Sequence, residues 1–360
     1  MLPNNAYYHA FCLIPTLGPK SIRAIAAYCE NDVAKAWHAF NQLPDYLFKR
    51  VARDQAIMSW RAIQPEKAWD LLNKQNIQCV SLEQVDYPSL LKKIHTPPPL
   101  LYYRGRLPSS ANPLLTVVGT RRISPYGHMA IERLLKPVVD AGIGIVSGLA
   151  FGVDAASHTV AVKGGGYTLA VLGSGVERIT PAGNDHIGRG ILAAGGCIMS
   201  EFAPGQEGYP SNFPRRNRLL AGLSPFTLVI EAAEKSGALI TTRCALDENR
   251  DVGAVPGPID APTSLGCLQL IKDGAFAVTK AEDILQYYGI SVETPPKPCQ
   301  LSAEESQFIQ HLGRLPQTLD VLMAKTKLEH TAILAMLTQL EIRGIVRQIP
   351  GQGFALIHTL

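Results

Sequence analysis

Leu114-Leu115-Thr116-Val117-Val118-Gly119-Thr120-Arg121-Arg122-Ile123-Ser124 is the stretch on which the fold turns. A short, almost wholly aliphatic run ends in a glycine, and polar residues then lead into a helical pattern from Met129 to Ala141. A run this short and this apolar, bounded by a turn signal, is a strand buried on both faces. The unit recurs at Gly144-Ile145-Val146, Tyr167–Leu172, Cys197-Ile198-Met199, Phe226–Ile230 and Val252–Val255, and Gly274–Val278 adds a last strand. Helical patterns lie between, among them Ala238–Asn249, and Glu282–Tyr288 closes the series. Strands alternating with helices predict βαβ units, hence an α/β fold with a doubly wound parallel sheet over residues 96–290.

On either side the pattern changes. Residues 1–95 read as a small helical domain, in which Leu17-Gly18-Pro19-Lys20 turns into an amphipathic helix with Pro near its first position. Such a turn suits a SAM-like or helix-hairpin-helix-like bundle. Pro295, Pro296 and Pro298 mark a linker over 291–300. In 301–360, three helical patterns (Ala303–Leu312, Thr318–Lys325, Ala332–Arg343) precede two short strands, Gly344–Ile349 and Phe354–Ile357, around Pro350-Gly351-Gln352-Gly353. Three helices and a two-stranded wing predict a winged-helix domain.

Bulk properties exclude several classes. The chain has 360 residues, 46% hydrophobic and 18% charged, which is an ordinary globular composition. No apolar run reaches the roughly 18 residues of a membrane helix, and the start lacks the basic region and cleavage site of a signal peptide. The expectation is a cytoplasmic protein with no membrane contact. Seven scattered cysteines with no C-x-x-C pair give neither a disulfide framework nor a zinc site. A net charge of +4 does not announce nucleic acid, so the location of charge has to decide.

In an open parallel sheet, ligands bind beyond the carboxyl ends of the strands. Those ends carry Gly119-Thr120-Arg121-Arg122-Ile123-Ser124, Ser147-Gly148-Leu149-Ala150-Phe151-Gly152 and Gly173-Ser174-Gly175. Glycine admits close approach and free N–H groups attract anions, so several such loops on one crest predict a phosphate cradle. Neither G-x-G-x-x-G after the first strand nor G-x-x-x-x-G-K-[ST] is present, and no nucleotide cofactor or metal is expected. Asn212-Phe213-Pro214-Arg215-Arg216-Asn217-Arg218 sets three arginines within four residues, beside a phenylalanine expected to be exposed and able to stack on a base. The other reading is an arginine face pairing with Glu201 and Glu231. On the residues alone both stand open.

Catalytic candidates are thinner. His158 reads as a packed, hydrogen-bonded histidine, and Asp154 as the N-terminal cap of its helix. Glu201 and Glu231 follow strands, but no nucleophile elbow or H-E-x-x-H accompanies them. In the winged-helix region Arg314, Lys325, Lys327, Arg343 and Arg347 are balanced by Glu304, Glu305, Asp320, Glu329 and Glu341. That balance removes the counterion-release term behind nucleic-acid affinity, so a protein-interaction or structural role is expected there.

VVGTRRISPYG (117–127), VSGLAFGVD (146–154), AVLGSG (170–175), SEFAPG (200–205), NFPRRNRLLAGLS (212–224), VIEAAEKSGALITT (229–242), VGAVPGPI (252–259) and LGCLQLIKDGA (265–275) together resemble the DNA-processing protein A (DprA/Smf) family. The resemblance implies a Rossmann-like domain that binds single-stranded DNA and forms a homodimer, without being an enzyme. It also implies natural transformation and competence, in which the family protects incoming strands and helps load RecA against single-strand-binding protein. Carried onto matching positions, Arg121 would grip a phosphate within the Gly119–Ser124 loop, which also holds Arg122. Ser147, Gly148, Gly173 and Gly175 would offer backbone N–H groups and close approach. Phe213, Arg215, Arg216, Asn217 and Arg218 would complete the pocket, with Ser236 and Gly237 beside it. The chain departs from the family where Glu177 and Thr180 replace a usual aspartate and tyrosine after GSG, so stacking by that tyrosine is not expected. The rival class is a phosphoribohydrolase of the lysine-decarboxylase-like type, which needs P-G-G-x-G-T-x-x-E where this chain has Glu234–Thr242, EKSGALITT, without the double glycine.

Overall fold

The computed structural model describes residues 2–48, 53–109, 112–290, 302–313, 316–342, 345–349 and 353–356. The linker expected at 291–300, with Arg314, Arg343, Gly344, Pro350-Gly351-Gln352 and Ile357, lies outside the described residues. Contacts divide the chain into two units, 1–291 and 292–360.

In the first unit, helices α1 (Asn4–Cys12), α2 (Pro19–Tyr28), α3 (Val33–His38), α4 (Arg53–Ala62) and α5 (Pro65–Lys74) precede β1 (Gln78–Ser81), α6 (Ser89–Lys92) and β2 (Leu100–Gly105). Then come β3 (Leu114–Val118), α7 (Pro125–Asp140), β4 (Gly144–Ser147), α8 (Val153–Lys163), β5 (Thr168–Val171), α9 (Asp185–Ala193) and β6 (Cys197–Ser200). The unit closes with α10 (Asn212–Leu223), β7 (Phe226–Val229), α11 (Ala238–Asp247), β8 (Asp251–Ala254), α12 (Leu265–Lys272), β9 (Phe276–Ala277) and α13 (Ala281–Tyr287).

These strands form one sheet in the order β1-β2-β6-β5-β4-β3-β7-β8-β9. From β6 to β9 all neighbours run parallel, which is the doubly wound, Rossmann-like arrangement. The chain winds outward from β3 to β6 and then returns to lay β7 on the other side of β3. The β3/β7 fork is therefore the topological switch point, where such sheets open a crevice. One departure from the sequence reading lies inside the stretch read as helical. Gln78-Cys79-Val80-Ser81 is an edge strand, antiparallel to β2, which is in turn antiparallel to β6.

Strands β3, β4 and β5 are buried along their whole length, which is why they read as almost wholly apolar runs. Leu115, Val117 and Ile145 pack on Ile131, Leu134, Leu135 and Val138 of α7, while Val118, Val146 and Val171 pack on Leu219, Leu220 and Leu223 of α10. The N-terminal helices join a third cluster, in which Phe11, Trp37 and Phe40 are continuous with Leu100, Tyr102 and Ile198 of the sheet. The second unit holds α14 (Ala303–Ile309), α15 (Leu319–Thr326) and α16 (His330–Ile342), then the antiparallel pair β10 (Val346–Ile349) and β11 (Gly353–Leu356). Ser302 caps α14 through a capping box with Glu305, and Leu322, Ile333, Leu337 and Val346 form its core. This is a winged helix.

His158 of α8 is the packed histidine expected. It is fully buried, with Nδ1 2.7 Å from the Thr168 hydroxyl. Thr168 itself donates to the Ile145 carbonyl at 2.8 Å, so the ring nitrogen is the donor to Thr168. Burial, with repulsion from Arg216, lowers its pKa to about 3, and burial lowers that of His9 to about 4. Between these values and the unfolded pKa near 6.5 the unfolded chain binds the extra protons, so stability is full above that range and falls as the pH drops through it. From pH 7 to pH 5, His158 alone should cost about 2 kcal/mol. Urea unfolding at the two pH values checks this. His158→Gln should shrink the difference, and an unchanged difference would refute the assignment.

Candidate nucleic-acid interface

At the switch point a cleft of about 220 Å³ opens between the loops that follow β3 and β7 and the first turns of α10 and α11. Gly119, Arg121, Phe213, Arg216, Asn217, Ser236 and Gly237, all expected site residues, line it. Its floor is set by the β3–α7 loop, where the Thr120 N–H donates to the Glu231 carbonyl (2.8 Å) and its carbonyl accepts from Val153 (3.1 Å). Gly119 is needed here, because a Cβ would stand 2.6 Å from the Val153 side chain.

The arginine cluster on α10 splits three ways. Arg216, only 4% exposed, points into the protein and donates to the carbonyls of Gly148 (2.8 Å) and Val171, with its Nε on the Asn217 side-chain oxygen at 3.1 Å. Arg218 pairs with the carboxylate of Glu201 and donates to the Thr96 carbonyl. Arg215 alone is exposed, its guanidinium 5.2 Å above the Phe202 ring. It borders a second, smaller cleft with Phe202, Gln206 and the Gly18-Pro19 turn before α2. Two of the three arginines expected to meet phosphate are thus structural, and the pairing expected with Glu201 holds for Arg218. A helical stripe in the sequence carries the missed signal. Arg216 is in phase with Leu219, Leu220 and Leu223, the spacing of an inward face.

Among the described residues Glu231 pairs with no arginine. Its carboxylate accepts from the Ser124 N–H (2.9 Å), the Ser124 hydroxyl (2.6 Å) and the Thr263 hydroxyl (3.1 Å). Ser124 is correspondingly no anion donor, since its oxygen also caps α7 by accepting from the Gly127 N–H at 3.1 Å. The glycine loops need the same correction. Ser147 is fully buried and donates to the Val117 carbonyl (2.7 Å), and the Gly175 N–H is taken by the Gln206 carbonyl (3.0 Å). Gly148 and Gly173 are also buried, and the groups that come close to them are the Arg216 guanidinium and the Phe213 ring rather than solvent. Arg122 is exposed but stands outside the cleft.

Asp154 is not the cap that the sequence suggests. Gly152 is the N-cap of α8, and Asp154 reaches back to the Ala150 N–H at 3.3 Å while lining the cleft. Burial pushes its carboxyl up, with Arg216 the largest opposing influence. Burial, with repulsion from Arg121, pulls Arg216 down to about 10 while Asp154 holds it charged. The open face of the cleft is built by Arg121, exposed, with its guanidinium 5.5 Å over the ring of Phe213, which is half-buried rather than exposed. Ser236 and Gly237 form the opposite lip at the start of α11. Among the described residues no cluster of His, Cys, Asp and Glu is placed to hold a metal, and no helix is long and apolar enough to cross a membrane.

Comparison with known proteins agrees with this architecture. The family model "DNA recombination-mediator protein A" matches residues 78–289, more than half of the chain. The chain belongs to that family. The family's winged-helix model matches residues 292–352. Protein Smf of Synechocystis is 32% identical across 97% of this chain and 98% of its own. The crystal structure of DNA processing protein A from Streptococcus pneumoniae superposes with a TM-score of 0.69 at 31% identity, covering 79% of this chain and 98% of that one. The Helicobacter pylori protein, solved for its single-stranded DNA binding mode, gives a TM-score of 0.52 at 25% identity over 59% of this chain and 97% of its own.

Replacing Arg216 by Ala should leave the buried carbonyls of Gly148 and Val171 without their donor, destabilising the fold by about 2–4 kcal/mol. Arg121→Ala, at an exposed position, should leave stability within about 0.5 kcal/mol of the parent. Thermal or urea unfolding of the two variants separates these outcomes, and similar losses would contradict the division between inner and outer arginines.

Proposed function

We propose that this family member is a single-stranded DNA-binding recombination mediator that holds the strand across the crest of the sheet. The observation that carries this is Arg121 standing over Phe213 at the mouth of the switch-point cleft. A cation held against a ring gives a phosphate partner and a stacking face within one nucleotide's reach, and stacking tolerates any base. A cleft of about 220 Å³ admits a base or a phosphate but not a duplex. The single-strand binding of the Helicobacter pylori relative supports the same reading. A binding role rather than a catalytic one is supported by the state of the acidic candidates. Glu231 and Glu201 are engaged by serine, threonine and arginine, and Asp154 balances Arg216. No chemical step is proposed.

The family description, a recombination mediator, supports delivery of the coated strand to RecA in competition with single-strand-binding protein, in the cytoplasm and during transformation. A homodimer through the Rossmann-like domain belongs to the same proposal. The winged helix, residues 301–360, is assigned a protein-interaction role on its charge balance.

Gel shifts with matched single-stranded and duplex oligonucleotides at 50 and 200 mM salt test the core of it. Single strands should bind more tightly, and with about three neutralised phosphates the affinity should drop roughly 20-fold between the two salts. Arg121→Ala should weaken binding evenly across sequences and flatten the salt slope by about one contact. Equal affinity for duplex and single strand would overturn the reading.

A further inference from the structure

The loop from β4 to α8, Gly148–Gly152, presents a side chain that neither the core nor the cleft uses. Leu149 sits at φ +55° with its side chain fully buried, a left-handed conformation that leucine rarely takes. Gly152 follows at φ +77°, packed so tightly on the preceding loop that a Cβ would lie 2.8 Å from the Arg121 carbonyl oxygen. Between these two positive-φ residues Phe151 is held outward with 49% of its surface exposed. The turn before α9 supports it from the other side. The Asn184 side chain donates to the Leu149 carbonyl at 2.9 Å, and Gly183 lies so close beneath the Phe151 ring that a Cβ there would be 3.0 Å from it.

An exposed phenyl ring is an unfavourable end for a strained backbone, unless something covers the ring. Its position says what. Ala150 lines the switch-point cleft and Gly152 abuts the backbone of Thr120 and Arg121, so Phe151 lies between the cleft lining and the loop that carries Arg121. Phe213 lies over Gly173 at the end of β5, and β4 is the next strand, about 4.8 Å away. The turn supporting Phe151, Ala182–Asn184, lies in the chain between exposed Arg178 and exposed His186. The acids beside them are engaged, Glu177 by the Gly205 N–H (2.9 Å) and Asp185 by Arg189 (2.7 Å).

We propose that Phe151 is a second stacking platform, taking a nucleobase of the strand gripped at Arg121 and Phe213 and carrying that strand over the β4–α8 loop toward Arg178. The inference rests on the single-strand reading above, and its test keeps the two apart. Binding of an ordinary single-stranded oligonucleotide and of an equally long abasic one is measured by fluorescence anisotropy for the full chain. Phe151→Ala should weaken the base-bearing strand about 5- to 10-fold and leave the abasic strand unchanged, because stacking needs a base while phosphate contacts do not. Phe151→Trp should retain full affinity, and its added indole should be quenched on binding; Phe151→Leu, apolar but without a π face, should behave as the alanine variant. Equal affinity of Phe151→Ala and the parent for the base-bearing strand overturns the proposal, as does an equal loss on both strands, which marks a merely structural role. Failure of the parent to bind either strand would instead remove the single-strand reading itself.

Discussion

A guanidinium taken out of water costs several kcal/mol even after relaxation, and it is tolerated only where hydrogen bonds and a counter-charge surround it. Arg216 meets those conditions at the centre of the crest. It spans the carbonyls of Gly148 and Val171, at the ends of two neighbouring parallel strands, where the backbone leaves acceptors without ladder partners. Asp154, at the first turn of α8, supplies the opposing charge. One side chain thus ties helix α10 to the ends of strands β4 and β5, and the shape of the cleft above it follows from that tie.

The glycines around it are consequences of the same constraint. A Cβ on Gly148 would stand 2.5 Å from the Arg216 guanidinium, and one on Gly173 would stand 3.1 Å from the Phe213 ring. These positions are bare so that side chains of α10 can lie flat on the strand ends. Glycine-rich loops on a sheet crest suggest a phosphate cradle, yet close approach of backbone to a ligand and close approach of backbone to an arginine leave the same mark in a sequence.

What was legible follows from which forces are periodic. Fully buried parallel strands are mostly apolar, with a threonine each in Leu114–Val118, Thr168–Val171 and Phe226–Val229, so these runs stand out in the sequence and the winding order follows from alternation with helices. Gln78–Ser81 does not, since an edge strand that grades from exposed to buried has no unbroken apolar run. At the site, the location of the crest was legible and the direction of its side chains was not. The family resemblance turns Ser124, Ser147, Arg216 and Arg218 toward a ligand, whereas each faces a protein acceptor, as the alternative of arginine pairing with Glu201 has it for Arg218. Polar residues at loop ends satisfy backbone groups as readily as they bind anions, and a motif does not say which. Only the in-phase stripe of Arg216, Leu219, Leu220 and Leu223 held that information for one of them.

Spending so many polar groups internally has an effect on what remains outside. Glu231 joins the loops after β3 and β7 to Thr263 through three hydrogen bonds, so both lips of the cleft are held by one buried carboxylate. A crest fastened in this way needs little ordering when a flexible chain lands on it, and the entropy lost on binding then falls mainly on the strand. On the single-strand reading proposed above, Arg121 and the face of Phe213 at the cleft mouth would meet a phosphate and a ring that every nucleotide carries, which gives little means of reading sequence. The inward hydrogen bonds of Ser124, Ser147 and Glu231 act in the same direction, since they withdraw from the crest groups that could have distinguished one base from another.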